Sequence, residues 1–184
     1  YVYDVFNRRI GRKLDTTSPF DMANAVIERY VLDDIHNGLS SADGGNVVLD
    51  FVDPDGSGAQ AMVMSKRYLY GEAVDQIFAQ EDLSKTLGDA TRILWPLVDH
   101  LGTVRLISSD VGAETLSRPT YYPFGQEVTT TTQTEVPLKF TGHERDSFAT
   151  ASVVDDIDYM HKRSASPLAG RFFSVDPVGG TALM

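Results

Sequence analysis

Short runs of β-branched and aromatic residues, divided by turn-forming residues, recur along this chain and constrain its fold more than any other feature. Typical runs lie at 46–52, 67–70, 93–98 and 104–107. Each has the length of about 4–8 residues that is usual for a strand, and Val, Ile, Tyr and Phe favour strands. The pattern predicts an all-β fold built from consecutive β-hairpins, with little helix.

Two segments carry turn or loop signals. Asp99-His100-Leu101-Gly102 separates two of the strand-like runs, and its Asp and Gly suit a tight turn between two strands. Residues 79–89 bring Gln, Glu, Asp, Ser, Lys and Gly close together. A segment of this polar composition buries little apolar surface. These residues are therefore predicted to form a disordered or looped insertion.

Charge and composition exclude several classes of protein. The net charge is −10, which repels nucleic acid and anionic lipid headgroups. Apolar runs fall short of the roughly 18–20 residues that cross a bilayer, so no membrane insertion is expected in this region. There is no cysteine, which removes disulfides, thiolate catalysis and cysteine-based zinc sites.

The four histidines are widely spaced. They are His36, His100, His143 and His161, and the smallest gap between neighbours is 18 residues. A helix-spaced pair such as H-E-x-x-H is therefore absent. A metal site built from histidines would need long-range assembly by the fold.

One acidic loop is a candidate calcium site. Asp53-Pro54-Asp55-Gly56-Ser57-Gly58 places oxygen ligands at alternating positions, on Asp53, Asp55 and Ser57, with Gly at the sixth position. The twelfth position holds Met64, where a calcium loop usually has a bidentate Glu. The alternative interpretation is an acidic hairpin loop that binds no cofactor.

Several blocks in a fixed order resemble those of one protein family. Residues 3–9, Y-D-V-F-N-R-R, match the Y-D-x-x-G/N-R form of the YD repeat. The other blocks are D-H-L-G-T-V-R at 99–105, Y-P-F-G at 122–125, F-T-G-H-E-R-D at 140–146, D-Y-M-H-K-R at 158–163 and G-R-F-F-S-V-D-P-V-G at 170–179. On these blocks the chain resembles the C-terminal core of Rhs/YD-repeat proteins, which include bacterial Rhs proteins, the C components of Tc toxins and the animal teneurins.

The resemblance implies a strip of β-hairpins that spirals into a hollow shell around a C-terminal effector or toxin. Residues 1–150 would form the YD-repeat part of this strip, and residues 151–184 its closing motif. The implied partners are the remaining N-terminal repeats of the shell and the C-terminal effector segment. The resemblance also implies a secreted or cell-surface protein.

The closing motif contains the residues that the resemblance assigns to self-cleavage. In relatives, an aspartyl-protease-like site cuts the bond between shell and effector. Arg163 and Asp176, thirteen residues apart, match its Arg and the Asp of D-P-x-G, and the family site has a further carboxylate. Such chemistry needs one protonated and one ionised carboxylate. D-P-V-G also suits a plain turn, so both interpretations stay open.

Two functions remain in view. In the first, the chain encloses an effector and helps to release it through latent autoproteolysis. In the second, it is an extracellular adhesive or recognition module of teneurin type, without cleavage. One departure bears on the choice, because Ser164 and Ala165 replace two aromatic residues that usually follow the family's Arg.

Overall fold

In the described part of the chain the regular secondary structure is almost entirely short β-strands, which confirms the predicted all-β class. A computed structural model describes residues 1–4, 8–14, 25–33, 45–72, 75–111, 115–128, 136–146, 149–150, 153–154, 156–161 and 163–175. The strands are β1 (Val2–Tyr3), β2 (Arg9–Leu14), β3 (Val26–Leu32), β4 (Val47–Asp53), β5 (Val63–Tyr70), β6 (Ile77–Asp82), β7 (Ile93–Val98), β8 (Val104–Ser109), β9 (Thr115–Ser117), β10 (Glu144–Asp146), β11 (Ala149–Thr150), β12 (Val153–Val154), β13 (Ile157–Met160), β14 (Arg163–Ser166) and β15 (Arg171–Phe172). A 3-10 segment spans Phe140–Gly142. Within these residues no helix is long and apolar enough to cross a membrane.

The chain divides into two compact units. Unit 1 comprises Tyr1–Trp95 and Ser109–Gly112, and unit 2 comprises Pro96–Ser108 and Ala113–Met184. The predicted boundary at residue 150 follows the motif blocks, and a division into compact units does not test it. It stays a prediction.

Unit 1 is an antiparallel meander. From β1 to β7, each strand pairs with the next one along the chain. The register places one row of residues directly opposite one another across five strands: Val31, Leu49, Arg67, Glu81 and Ile93. Directly opposed residues share a face of the sheet, so this row defines one face of the meander.

Each face of this sheet carries both buried and exposed residues. On the face of that row, Leu69 is 55% exposed and Trp95 is 40% exposed. On the opposite face, Gln80 and Leu94 form a direct pair and both are buried. On that face the Tyr68 hydroxyl also donates a hydrogen bond of 2.7 Å to Asp50. Both faces nevertheless leave large apolar groups in contact with solvent, since Phe78, on the face of Gln80, is 47% exposed.

The prediction of a loop over residues 79–89 is wrong for its first part. β6 continues to Asp82 and is paired on both sides, with β5 and with β7. Its polar residues are accommodated because they have partners: Glu81 accepts hydrogen bonds of 3.0 and 2.8 Å from Arg92 and another from Arg67. Cross-strand ion pairing thus allows a polar segment to serve as an internal strand.

Unit 2 contains a four-stranded antiparallel sheet in the order β10, β13, β14, β15. One row of directly opposed residues crosses all four strands: Arg145, Asp158, Ala165 and Phe172. The short hairpin of β11 and β12 forms a separate two-stranded sheet. Of the residues that the sequence marks as functional, Arg163 lies in this four-stranded sheet.

Candidate functional site

The D-H-L-G block forms the predicted turn, and a single carboxylate organises it. Asp99 Oδ1 accepts hydrogen bonds from the backbone N–H groups of Leu101, at 2.9 Å, and Thr103, at 3.1 Å. Asp99 Oδ2 accepts a bond of 2.9 Å from Arg105, at the end of the same block. Gly102 has a φ of +79°, a conformation that glycine adopts without steric cost. Hydrogen bonds within the block therefore fix this turn.

The Y-P-F-G block forms a second turn that packs on a third block. The Gly125 N–H donates to the Tyr122 carbonyl at 2.9 Å, and Gly125 has a φ of +94°. A Cβ atom at Gly125 would lie 2.8 Å from the ring of Phe140. Only glycine permits this approach of backbone to ring.

Two hydrogen-bond contacts and one close approach join further blocks together. The hydroxyl oxygen of Thr103, which is fully buried, accepts a bond of 3.0 Å from the backbone N–H of Thr141. The carbonyl oxygen of Gly125 accepts a bond of 2.7 Å from Arg145. A Cβ at Gly170 would lie 2.8 Å from the ring of Phe124. The blocks at 99–105, 122–125, 140–146, 158–163 and 170–179 thus contribute residues to one connected arrangement within unit 2.

A buried ion pair lies at the centre of this arrangement. Arg145 Nε donates to Asp158 Oδ1 at 2.7 Å, and Nη2 donates to Oδ2 at 3.0 Å. The two side chains are only 1% and 2% exposed. Asp156 lies nearby, with Oδ2 at 3.7 Å from Arg145 Nη1. A two-bond pair of this kind is strong and fixes direction as well as distance.

Burial dominates the electrostatics around this pair. Desolvation raises the pKa of Asp158 above its ordinary value, against the opposing effect of the Arg145 hydrogen bonds. Burial also lowers the pKa of Lys139, whose Nζ lies 3.7 Å from Glu127. Desolvation likewise raises the pKa of Tyr121, whose ring lies 6.0 Å from the Arg145 guanidinium. The side chains of Asp158, Lys139 and Tyr121 therefore lie in a poorly hydrated environment.

Arg163, the predicted catalytic arginine, begins β14. Its guanidinium carbon lies 3.7 Å from the centre of the Phe172 ring, a cation–π contact between β14 and β15. Phe172 pairs directly with Ala165, which in turn is opposite Asp158. Arg163 therefore shares a face of the sheet with the buried ion pair. Asp176, the predicted catalytic aspartate, lies outside the described residues.

The replacement of aromatic residues by Ser164 and Ala165 has a structural counterpart. Ala165 lies directly opposite Asp158, and Ser164 directly opposite Tyr159. A large ring at 165 would occupy space beside the Arg145–Asp158 pair, since opposed Cβ atoms are about 5 Å apart. The small side chain leaves room for the ion pair at this point of the sheet.

The candidate calcium loop is organised by its own backbone. Asp53 Oδ1 accepts hydrogen bonds from the N–H groups of Asp55, at 3.3 Å, and Gly56, at 3.0 Å. Asp55 Oδ2 accepts a bond of 3.1 Å from the N–H of Gln60. Ser57 is exposed. These contacts are those of an acidic hairpin loop, and calcium binding by Asp53, Asp55 and Ser57 stays a prediction.

Sequence reasoning missed the central pair of unit 2. Arg145 and Asp158 are thirteen residues apart, as Arg163 and Asp176 are. Both lie in blocks that carry the family resemblance, and that was the available signal. Which charged residues of those blocks meet depends on strand register, which local sequence does not specify.

No protein-family model matches this chain, and no curated protein matches it. The resemblance to Rhs/YD-repeat proteins therefore rests on the motif blocks themselves. What it implies about activity, partners and localisation is a proposal.

Proposed function

We propose that this chain is the closing section of a β-hairpin shell that encloses an effector and helps to release it by self-cleavage near Asp176. The observation that carries the proposal is the convergence of the motif blocks on Arg145. Gly125 and Asp158 both accept hydrogen bonds from that one side chain. Blocks that are far apart in sequence serve one arrangement, which favours a common function over chance matches to each block.

The sheet of unit 1 supports the shell part of the proposal. Its strands pair only in chain order in the described part, as a strip of hairpins requires. Leu69, Trp95 and Val31, which share one face of it, are 55%, 40% and 43% exposed. Exposed apolar groups on a sheet are typical of surfaces that bind other chains. Neighbouring hairpins or an enclosed segment would cover them.

The proposed cleavage is a hydrolysis. An ionised carboxylate takes a proton from water, whose oxygen bonds to the scissile carbonyl carbon, and a protonated carboxylate gives its proton to the departing amine as the C–N bond breaks. Asp176 supplies one carboxylate, and Arg163 stabilises negative charge on the carbonyl oxygen. Both oxygens of Asp158 bond to Arg145, so Asp158 is assigned to holding the sheet. The resemblance implies that the second carboxylate lies elsewhere.

Intact mass of the full-length gene product tests the proposal. The wild-type protein is expected to yield two fragments, with the cut shortly after the D-P-V-G motif. Asp176→Asn is expected to abolish the cut, and Arg163→Ala to slow it. Asp53→Asn is the matched control, because Asp53 also precedes a proline and its loss should leave cleavage unchanged.

Two results would contradict the proposal. Cleavage that persists in Asp176→Asn would place the chemistry elsewhere. A wild-type product that stays uncut, with the shell folded, would favour the adhesive or recognition module without cleavage. Localisation is tested by fractionation of cells that express the full-length gene, where the protein is expected outside the cell or at its surface.

A further inference from the structure

Two histidines that are 18 residues apart in sequence meet at one edge of the four-stranded sheet. His143 directly precedes β10, and His161 directly follows β13, the strand that pairs with β10. Because Glu144 lies opposite Tyr159, the two histidines fall at the same end of the strand pair. This is the long-range assembly that a histidine site in this chain would need.

The geometry of the two imidazoles suits a shared ligand. Their ring centres are 6.0 Å apart, with the planes at 77°. A nitrogen of His143 and a nitrogen of His161 lie within 4.8 Å of one another. Two nitrogens that bind one Zn²⁺ each lie about 2.0–2.1 Å from it. Binding of one ion would therefore bring the two nitrogens to within about 4 Å of one another.

The backbone at both positions is fixed by hydrogen bonds. The His143 N–H donates to Phe140 O at 3.2 Å, and His143 O accepts from Lys139 N at 2.9 Å. The Tyr159 hydroxyl donates to the carbonyl oxygen of His161 at 2.7 Å. His161 has a φ of +54°, so this bond stabilises an uncommon backbone conformation for a non-glycine residue. Both histidines are half-buried residues.

We propose that His143 and His161 bind a divalent transition-metal ion, with Zn²⁺ as the ion tested. Imidazole nitrogen suits zinc, copper and nickel, whereas Ca²⁺ and Mg²⁺ take oxygen ligands. Water or a carboxylate completes the coordination. The site joins the start of β10 to the end of β13. His161 also lies in the turn that leads to Arg163, since Met160 and Arg163 are directly paired. This metal-binding proposal does not depend on self-cleavage or on the acidic loop at 53–58.

Calorimetric titration of the 184-residue chain with zinc chloride tests this site. The wild type is expected to bind one Zn²⁺ per chain at the histidine pair. His143→Gln and His161→Gln are each expected to weaken binding by at least about tenfold. His100→Gln is the matched control, because His100 is an exposed residue of the same unit, and its affinity should equal that of the wild type. Excess Ca²⁺ should not displace the zinc.

X-ray absorption at the zinc edge keeps the test valid if a variant fails to fold. The zinc-loaded wild type is expected to show two imidazole groups at about 2.0 Å. The proposal is overturned if the wild type binds no zinc, if folded His143→Gln or His161→Gln retains wild-type affinity, or if the spectrum shows fewer than two imidazoles. Displacement by Ca²⁺ or loss of zinc in His100→Gln would also overturn it.

Discussion

Arg145 and Asp158 lie directly opposite each other on β10 and β13, and two hydrogen bonds of 2.7 and 3.0 Å join their buried side chains. The same guanidinium group also bonds to the carbonyl oxygen of Gly125. The pair therefore does more than join two strands, since it holds the Y-P-F-G turn against the sheet. Its removal should affect the whole of unit 2.

Arg145→Ala is expected to lower the free energy of unfolding by about 3–5 kcal/mol, because it leaves the Asp158 carboxylate buried without its partner. Urea denaturation followed by circular dichroism measures this change. Arg105→Ala is the control, since the Arg105–Asp99 pair lies at the surface, with 47% of the arginine side chain exposed. Surface pairs contribute about 1 kcal/mol or less.

The double variant Arg145→Met with Asp158→Leu separates pairing from burial. It removes both charges at once, so no unpaired group remains and the loss should be smaller than for Arg145→Ala alone. A double variant that is less stable than Arg145→Ala would show that the pair itself stabilises the fold, contrary to this expectation.

Gly125→Ala is expected to destabilise the chain by about 2–4 kcal/mol, which combines a strained positive φ with a forced contact on Phe140. Gly88→Ala isolates the first effect, because Gly88 has a φ of +89° and nothing within 4 Å of its would-be Cβ. It should cost only about 1 kcal/mol. Stability is measured as the shift in the denaturation midpoint. If the two variants lose equal stability, the Phe140 contact does not contribute to the cost of Gly125→Ala.

Thr103→Val is expected to cost about 1–3 kcal/mol, because the part-buried N–H of Thr141 loses its acceptor while the volume at position 103 stays nearly the same. Thr103→Ser keeps the oxygen and should retain more of the stability. Thermal unfolding of the two variants side by side provides the measurement. If valine proves as stable as threonine, the bond between the two motif blocks contributes nothing.

Glu28 is expected to make stability depend on pH in acid. Burial by itself raises the pKa of Glu28, but hydrogen bonds from Arg12 and Tyr30 outweigh it and hold the pKa below the ordinary value of 4.5. The unfolded chain then binds more protons than the folded one, so stability is present above the ordinary pKa and is lost as the pH falls through the folded value.

Unfolding free energies of the wild type and Glu28→Gln, compared from about pH 6 down to about pH 3, measure this dependence. The stability difference between them should shrink as the pH falls. Glu72→Gln, at an exposed position of the same unit, is the control. Its free energy of unfolding should change with pH as that of the wild type does. A difference that stays constant with pH would contradict the linkage.

Local patterns in the sequence were sufficient to predict the strands and the turn at Asp99. The strand run at 93–98 is continuous and apolar, the run at 104–107 contains one charged residue, Arg105, and the Asp and Gly between the two runs act through the local backbone. The end of β6 was assigned to a loop because Glu81 and Asp82 resemble loop residues, whereas in the sheet Arg92 and Arg67 pair with Glu81. Side chains of neighbouring strands, rather than local propensity, stabilise this segment.

The residues of the candidate site show the same limit. The motif was sufficient to select Arg163 as a candidate site residue. Arg163 lies on the same face of the four-stranded sheet as the Arg145–Asp158 pair. The Arg145–Asp158 pair and the His143–His161 pair arise from the register of β10 against β13. A shift of one residue would turn both to different partners, so spacing in the sequence cannot specify them.

The chain-order pairing of β1 to β7 also governs how unit 1 can fold. Each strand finds its partner in the strand synthesised just before it, so every new pairing closes a short loop. Contacts between residues that are close in sequence favour fast folding. This pairing allows the meander to lengthen one strand at a time as the chain leaves the ribosome.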